Sequence, residues 1–184
     1  MLELMTQRLV LRPLRLSDSV AVFEYRSNPD VSRFQVWEPQ DVQEVRSFIA
    51  GLLDVEPDMT GTWYQLAITL RETGELVGDC GRHFPTERQG QAEVGITLAP
   101  AHQGKGYATE ALERVLEYLF GDLDKHRVYA TVDPRNAPSI ALLERVGMRR
   151  EGHLRESVWV RGEWADDVIY AMLEKEWMSH RPSE

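Results

Sequence analysis

The chain has 184 residues, of which 42% are hydrophobic and 28% charged, a balance that suits one globular domain and argues against disorder as its main state. The single cysteine, Cys80, excludes an internal disulfide and a thiol-ligated structural zinc site. Five scattered histidines form no pair at metal-ligand spacing, so we expect no metal. The formal net charge of −9 disfavours nucleic acid as a partner, because nucleic-acid-binding surfaces normally carry a basic excess.

Targeting and membrane signals are weak in this sequence. No apolar run approaches the roughly 20 residues that a membrane span needs. The first residues, Met-Leu-Glu-Leu-Met-Thr, lack the basic and apolar regions of a signal peptide. We therefore expect a cytoplasmic protein without a membrane partner. Its acidic charge gives a slight preference for cationic ligands such as amines.

Apolar periodicity in the N-terminal third predicts a strand, a helix, a loop and a second helix. Ser17 or Asp18 can cap the first helix, which ends before Asn28 because the residue before a proline disfavours the α region. Asp41 can cap the second helix, whose apolar positions form a helical stripe. In chain order, these elements are Arg8–Pro13, 17–25, Val31–Pro39 and 41–53.

Three strands and then an alternation of helices and strands are predicted for the rest of the chain. The strands are Trp63–Leu70, Leu76–Arg82 and Gln91–Ala99; after them come helix Lys105–Phe120, strand Arg127–Val132, helix Pro138–Val146 and a hairpin of Arg149–Val160 and Trp164–Leu173. This order predicts an α+β fold with a mixed sheet and helices on its faces. We expect one domain over residues 1–178 and a loose tail over 179–184.

A glycine-rich turn between a strand and a helix is the most informative stretch. Backbone N–H groups at a helix N-terminus are unpaired and carry the positive end of the helix dipole, and small residues let a phosphate approach them. Lys105 adds a charge, so the turn is a candidate anion site, although it can also be a simple connection. It is not a P-loop, because Gly106 follows Lys105, and Thr109 replaces the last glycine of a Rossmann fingerprint.

Two spaced motifs carry a resemblance to a known family. Residues Gln103-x-x-Gly106-x-Ala108 resemble the acyl-CoA pyrophosphate-binding signature of the GNAT superfamily of N-acetyltransferases. A second motif resembles the branch with the ribosomal-protein N-α-acetyltransferases: Asn136-x-x-Ser139-x-x-Leu142-x-x-x-x-Gly147-Met148. Three further motifs fit that branch: Thr6-x-Arg8-Leu9-x-Leu11-Arg12, Trp37-x-Pro39 and Glu151-Gly152-x-x-Arg155-Glu156.

The resemblance implies a mostly antiparallel sheet with a splayed acyl-CoA-binding cleft. It also implies direct transfer of the acetyl group of acetyl-CoA to a primary amine, without a metal. The branch favours a protein N-terminal α-amine as acceptor. A small amine, such as a polyamine or aminoglycoside, and a catalytically silent acyl-CoA-binding domain remain open alternatives. A homodimer through the C-terminal hairpin is an expectation from the family alone.

The same resemblance assigns residues to acetyl-CoA. Backbone groups of Ile96, Thr97 and Leu98 would pair with the pantetheine arm, and the Leu98 N–H would stabilise the oxyanion of the tetrahedral intermediate. Asn136 would bind the pantetheine amide; alternatively it only caps the following helix. The turn would bind the pyrophosphate through Gln103, Gly104, Lys105, Gly106, Tyr107, Ala108 and Thr109.

Catalysis would need a base for the amine, because alkyl amines have a pKa of roughly 10 and are protonated at neutral pH. Glu93 resembles the carboxylate that family members use, and its alternative is a solvated strand-end glutamate; Asp79 and Glu156 are weaker candidates. Many members place an acidic tyrosine where this chain has Leu143. Ser139 then resembles the proton donor for the leaving thiolate; alternatively its hydroxyl only satisfies local backbone.

The loop before the second helix would line the amine side of the site. Its candidates are Phe34, Gln35 and Trp37, although a single aromatic residue is more often part of a core. His83 and His153 can enter the cleft, but a lone histidine on a strand is more often structural. Cys80 carries no nucleophile signature and is expected to be a buried apolar residue.

Overall fold

A computed structural model describes residues 2–180. Its centre is an eight-stranded sheet in the order β1-β2-β3-β4-β5-β6-β8-β7. All neighbouring strands are antiparallel except β5 and β6, which confirms the predicted mixed, mostly antiparallel α+β sheet. The strands are β1 (Leu4–Met5), β2 (Leu9–Pro13), β3 (Trp63–Leu70), β4 (Leu76–His83), β5 (Gln91–Leu98), β6 (Arg127–Val132), β7 (Arg149–Val160) and β8 (Glu163–Leu173).

Helices cover both faces of this sheet. Successive side chains of a strand point to opposite faces, and on β3 Leu66 and Ile68 join one buried cluster while Ala67 joins another. The helices are α1 (Ser19–Arg26), α2 (Pro29–Ser32), α3 (Val42–Leu52), α4 (Tyr107–Glu117), α5 (Ala137–Arg145) and α6 (Glu174–His180). Residues of α1 and α3 form the Ala67 cluster, and residues of α4 and α5 pack on the other face.

Local capping explains where the N-terminal helices begin. Asp41 caps α3 as predicted, because its carboxylate accepts a hydrogen bond from the Glu44 N–H at 2.8 Å. Asp18 precedes α1 but does not cap it with its side chain. Its carboxylate instead accepts from the Arg15 N–H at 2.8 Å and pairs with Arg12 at 2.8 Å.

Three elements of the model are absent from the sequence-based prediction. Strand β1 is only two residues long, and α2 occupies the start of the segment predicted as a loop. A proline fits the first turn of a helix, and Asn28 caps α2 by accepting from the Asp30 N–H at 2.9 Å. Helix α6 includes Ser179 and His180, where a loose tail was expected, and residues 181–184 lie outside the described part. Within residues 2–180, no helix is long and apolar enough to cross a membrane.

The sheet opens between β5 and β6. These parallel strands pair only at their first residues, from Gln91 with Arg127 to Glu93 with Tyr129. Beyond that point β5 stays paired with β4 on its other edge, and β6 stays paired with β8. The facing edges of β5 and β6 are therefore unpaired over their second halves, which confirms the predicted splayed cleft. We refer to this opening as the splay.

Candidate active site

Two cavities meet at the splay. One, of about 870 Å³, lies beside the glycine-rich turn, and we name it the turn-side cavity. The other, of about 620 Å³, lies beside the loop between α2 and α3, and we name it the loop-side cavity. The residues that line both cavities include Ile96, Thr97, Asn136, Ser139 and Leu142. A ligand that enters from the turn side can therefore reach a ligand that enters from the loop side.

The glycine-rich turn forms one wall of the turn-side cavity. Gly104 and Gly106 have φ angles of 73° and 81°, a left-handed conformation that glycine adopts without strain. Helix α4 begins directly after Gly106, so its first unpaired N–H groups lie at this turn. All predicted turn residues line the cavity except Lys105, which is exposed and is not among its lining residues.

A cation from β2's N-terminal end lies against this turn. The Arg8 guanidinium donates to the Lys105 carbonyl at 3.0 Å and lies 4.7 Å from the centre of the Tyr107 ring. A Cβ at Gly106 would lie 3.3 Å from Arg8 Nη2, so glycine leaves room for this close approach. Arg8 also pairs with Glu110 at 2.6 Å. The sequence motif that contains Arg8 does not indicate what this side chain contacts; the structure places it at the candidate anion site.

The backbone of β5 presents hydrogen-bonding groups to the splay. The Ala99 N–H donates to the Val77 carbonyl of β4 at 2.9 Å. Backbone groups alternate in direction along a strand, so the Leu98 N–H and carbonyl point to the opposite edge, toward the splay. The Leu98 carbonyl accepts from the Gln103 side chain at 3.0 Å, which agrees with this direction. The Leu98 N–H therefore has the orientation that its predicted oxyanion role requires.

Helix α5 contributes two predicted residues at the splay. Asn136 caps the helix, because its Oδ1 accepts from the Ser139 N–H at 3.3 Å. Asn136 also lines both cavities, so its role as a helix cap does not prevent it from contacting a ligand there. Among the described residues, the Ser139 hydroxyl makes no hydrogen bond, so local backbone does not occupy it. Leu143, which replaces the usual tyrosine, is buried and lines the loop-side cavity.

Glu93 lies in the wall of the loop-side cavity. Its Oε1 accepts from the Thr131 hydroxyl at 2.8 Å, and its Oε2 lies 3.8 Å from Nδ1 of His83. Only 20% of its side chain is exposed, so it is not a freely solvated strand-end glutamate. Burial and the charge of Glu93 raise the pKa of Tyr129, which keeps that phenol neutral beside the carboxylate. This placement is compatible with the predicted role of Glu93 as a base.

Neither of the two weaker base candidates is available to the site. The Asp79 carboxylate lies in the cavity wall but accepts hydrogen bonds from Tyr25, Arg26 and Gln65, so its lone pairs are already used. Glu156 does not line the cavity.

The predicted acceptor residues Phe34, Gln35 and Trp37 all line the loop-side cavity. Trp37 is held from several sides. Its indole N–H donates to Glu44 at 2.7 Å, and its ring lies 4.6 Å from the Phe48 ring. The Trp37 side chain is thus packed against other residues and also lines the cavity. Its core role and its possible contact with a ligand, the two alternatives from the sequence, are therefore compatible.

Carboxylates that the sequence analysis did not single out also line the loop-side cavity. Burial raises the pKa of Asp167, and the nearby charges of Asp133 and Asp166 raise it further. Arg135 is engaged by Asp133 at 2.6 Å and by an exposed glutamate, Glu163, at 3.2 Å. The lining of this cavity includes six carboxylates and four arginines, so acidic groups exceed basic ones by two. Within residues 2–180, no three side chains are grouped to hold a metal ion.

Comparison with known proteins decides the family. A family model described as an acetyltransferase (GNAT) domain matches residues 8–149. The chain belongs to the GNAT acetyltransferase family. The uncharacterized N-acetyltransferase p20 of Bacillus licheniformis is 34% identical over 175 residues, which are 95% of this chain and 97% of that protein. The resemblance drawn from the motifs is thus confirmed.

Two solved GNAT structures are similar to this chain and contain CoA species. Mycobacterium smegmatis RimJ in complex with CoA-disulfide has a TM-score of 0.78 and 31% identity, over 91% of this chain and 83% of that one. Vibrio cholerae spermidine N-acetyltransferase in complex with CoA and spermine has a TM-score of 0.80 and 25% identity, over 94% of this chain and 99% of that one. Both of these similar structures therefore hold a CoA species, and one also holds a polyamine.

Proposed function

We propose that this GNAT protein moves the acetyl group of acetyl-CoA to a primary amine by direct attack, and that the acceptor is a protein N-terminal α-amine. The observation that carries the proposal is the splay, where the turn-side and loop-side cavities meet. Acetyl-CoA would occupy the first cavity and the amine the second. The thioester and the amine would then face each other beside Ser139 and Thr97.

The turn-side cavity suits the anionic part of acetyl-CoA. The N-terminus of α4, the two left-handed glycines and the Arg8 guanidinium would hold the pyrophosphate. The unpaired edge of β5 would bind the pantetheine arm, with Asn136 on the facing helix. Lys105 would contribute charge at longer range, because its side chain is outside the cavity wall.

The chemistry follows from the groups at the splay. Glu93 would take the proton of the ammonium group, and the neutral nitrogen would attack the thioester carbon. The Leu98 N–H would stabilise the oxyanion. As the bond between carbon and sulfur breaks, the nitrogen would give up its second proton, which would pass through water beside the Ser139 hydroxyl to the sulfur, so that CoA leaves as a thiol. Ser139 would donate a hydrogen bond to the leaving sulfur, since a serine hydroxyl is too weak an acid to lose its proton outright. Burial raises the pKa of Cys80 to about 12, which argues against an acyl-enzyme on this thiol.

A small polyamine is the second candidate acceptor, and a specific observation favours it. Carboxylates outnumber arginines in the lining of the loop-side cavity, and Asp167 among them would bind a second cationic group. The spermidine enzyme of Vibrio cholerae shares the fold, whereas the sequence motifs favour the peptide amine. A silent acyl-CoA-binding domain is less well supported, because Glu93 and Ser139 both face the site.

A thiol-release assay with acetyl-CoA tests the proposal. The acceptors are peptides with a free N-terminus, the same peptides with a blocked N-terminus, spermidine and an aminoglycoside. Turnover of free but not blocked peptides supports the N-terminal acceptor, and turnover of spermidine alone replaces it with the polyamine. Turnover of no amine, together with a thermal shift of about 5–10 °C with saturating acetyl-CoA, would identify a silent binding domain. NAD is the control ligand, and no shift with any CoA species refutes the cofactor assignment.

A further inference from the structure

We propose that His83 is a proton-relay residue, which accepts from Glu93 the proton that the amine loses and passes it to solvent. The inference rests on the proposed function, because a relay needs a reaction that releases a proton. Transfer of an acetyl group to an ammonium ion with release of CoA as a thiol liberates one proton per turnover. The structure offers a path for this proton that begins at the loop-side cavity and leaves it.

The first step of the path is fixed by strand register. His83 of β4 and Glu93 of β5 are direct cross-strand partners, so their side chains project from the same face of the sheet. Thr131 occupies Oε1 of Glu93, which leaves Oε2 on the side of His83. The 3.8 Å between Oε2 and Nδ1 exceeds a hydrogen bond, but a small rotation of the Glu93 carboxyl group or one bridging water closes it.

The second step is the exit to solvent. Glu93 lines the loop-side cavity, whereas His83 is not among its lining residues and has 26% of its side chain exposed. The imidazole therefore lies between Glu93 in the cavity wall and bulk water. The Trp63 ring stacks on it with centroids 5.2 Å apart and planes at 21°, which limits its rotation.

Several charged and titratable groups lie around His83. Glu93 is its cross-strand carboxylate partner, and Tyr129 beside that carboxylate has a raised pKa and does not compete for the proton. Arg88 and Arg127 lie over the Tyr129 ring at 5.5 and 5.1 Å. An imidazole exchanges protons with water near neutral pH more readily than any other ordinary side chain. The amine N–H bond breaks, and Glu93 takes up the proton and passes it to His83. His83 returns to its neutral form when it releases the proton to solvent.

The test compares three variants with wild type on an amine that wild type acetylates. His83→Ala removes the imidazole, and His83→Phe keeps a ring against Trp63 without a proton-carrying nitrogen. His126→Gln is the matched control, since His126 is an exposed histidine outside the site. The steady-state rate is measured against pH and against buffer concentration, with the KM values for both substrates and the thermal midpoint of each variant.

We expect kcat to fall roughly tenfold or more in both His83 variants in dilute buffer, with KM values and the thermal midpoint of His83→Phe close to wild type. Added imidazole should restore much of the rate of His83→Ala, and His126→Gln should behave as wild type. Rates for His83→Phe equal to those of His126→Gln would overturn the relay while leaving the proposed function intact. So would a loss in His83→Ala that imidazole and buffer do not restore. Failure of wild type to acetylate any amine refutes the proposed function and the relay together.

Discussion

A buried ion pair in the wall of the loop-side cavity allows a sharp prediction of stability. Asp79 and Arg26 are 1% and 8% exposed, and two nitrogens of the guanidinium donate to the carboxylate, at 3.0 and 2.5 Å. Tyr25 and Gln65 donate to the same carboxylate. Burial and the charge of Asp79 raise the pKa of Tyr25 well above its ordinary value, so the phenol remains a donor. Every partner of Asp79 therefore requires an acceptor.

The perturbation is Asp79→Asn, which keeps the shape but removes the charge and replaces one acceptor with a donor. Arg26 is then a buried cation without a counter-charge. Breaking a buried pair in this way costs about 3–5 kcal/mol. For a domain of this size, 1 kcal/mol changes the melting temperature by about 2–4 °C, so we expect a decrease of about 6–20 °C.

Urea unfolding and thermal melts measure this cost. Adding Arg26→Gln to Asp79→Asn should recover part of it, because the second change removes the uncompensated charge. Glu163→Gln breaks an exposed pair with Arg135 and should change the stability far less, because solvent screens exposed ion pairs. A cost for Asp79→Asn as small as that of Glu163→Gln would refute the reasoning. A double variant less stable than the single one would also refute it.

Two further predictions concern the turn side of the sheet. Gly78→Ala should destabilise the protein by about 1–3 kcal/mol and reduce the acetyl-CoA thermal shift, because the new Cβ would lie 2.2 Å from a β5 carbonyl oxygen. Gly51→Ala is the control, because a Cβ at this position in α3 has nothing within 4 Å. This control should be neutral or stabilising in the same melts. Burial raises the pKa of Glu110, but hydrogen bonds from Thr6 and Arg8 outweigh it and leave that pKa below its ordinary value. The charged form therefore stabilises the fold above the unfolded pKa of about 4.3, and this contribution is lost as the pH falls through the lower folded pKa. Urea unfolding between pH 6 and 3 should show the advantage of wild type over Glu110→Gln shrinking with acid, and a constant difference would contradict this assignment.

Local patterns predicted most of the fold. The apolar stripe of α4, the cap at Asp41 and the turn between β3 and β4 depend on residues close in sequence, and the model confirms each of them. The sequence does not predict helix α2, because Asn28-Pro29 is a signal for the end of a helix. In the structure, the same pair also begins the next helix, since proline fits a first turn.

Contacts between distant segments could not be predicted in this way. Arg8 reaches the turn from 97 residues away, and no local pattern shows which cation will lie beside an anion site. The pairing of Glu93 with Thr131 and His83 depends on strand register across three strands. The motifs supplied candidate residues at the splay, and only the topology shows that they share one opening.

The meeting of two cavities at a single opening also has a consequence for kinetic order. Each substrate would have its own entrance, so neither needs the other to leave before it can bind. A ternary complex is then the reacting species, and initial-rate plots should intersect rather than run parallel. Free CoA would compete with acetyl-CoA but not with the amine. An acetylated acceptor could depart while CoA is still bound, which leaves the release of CoA free to limit turnover.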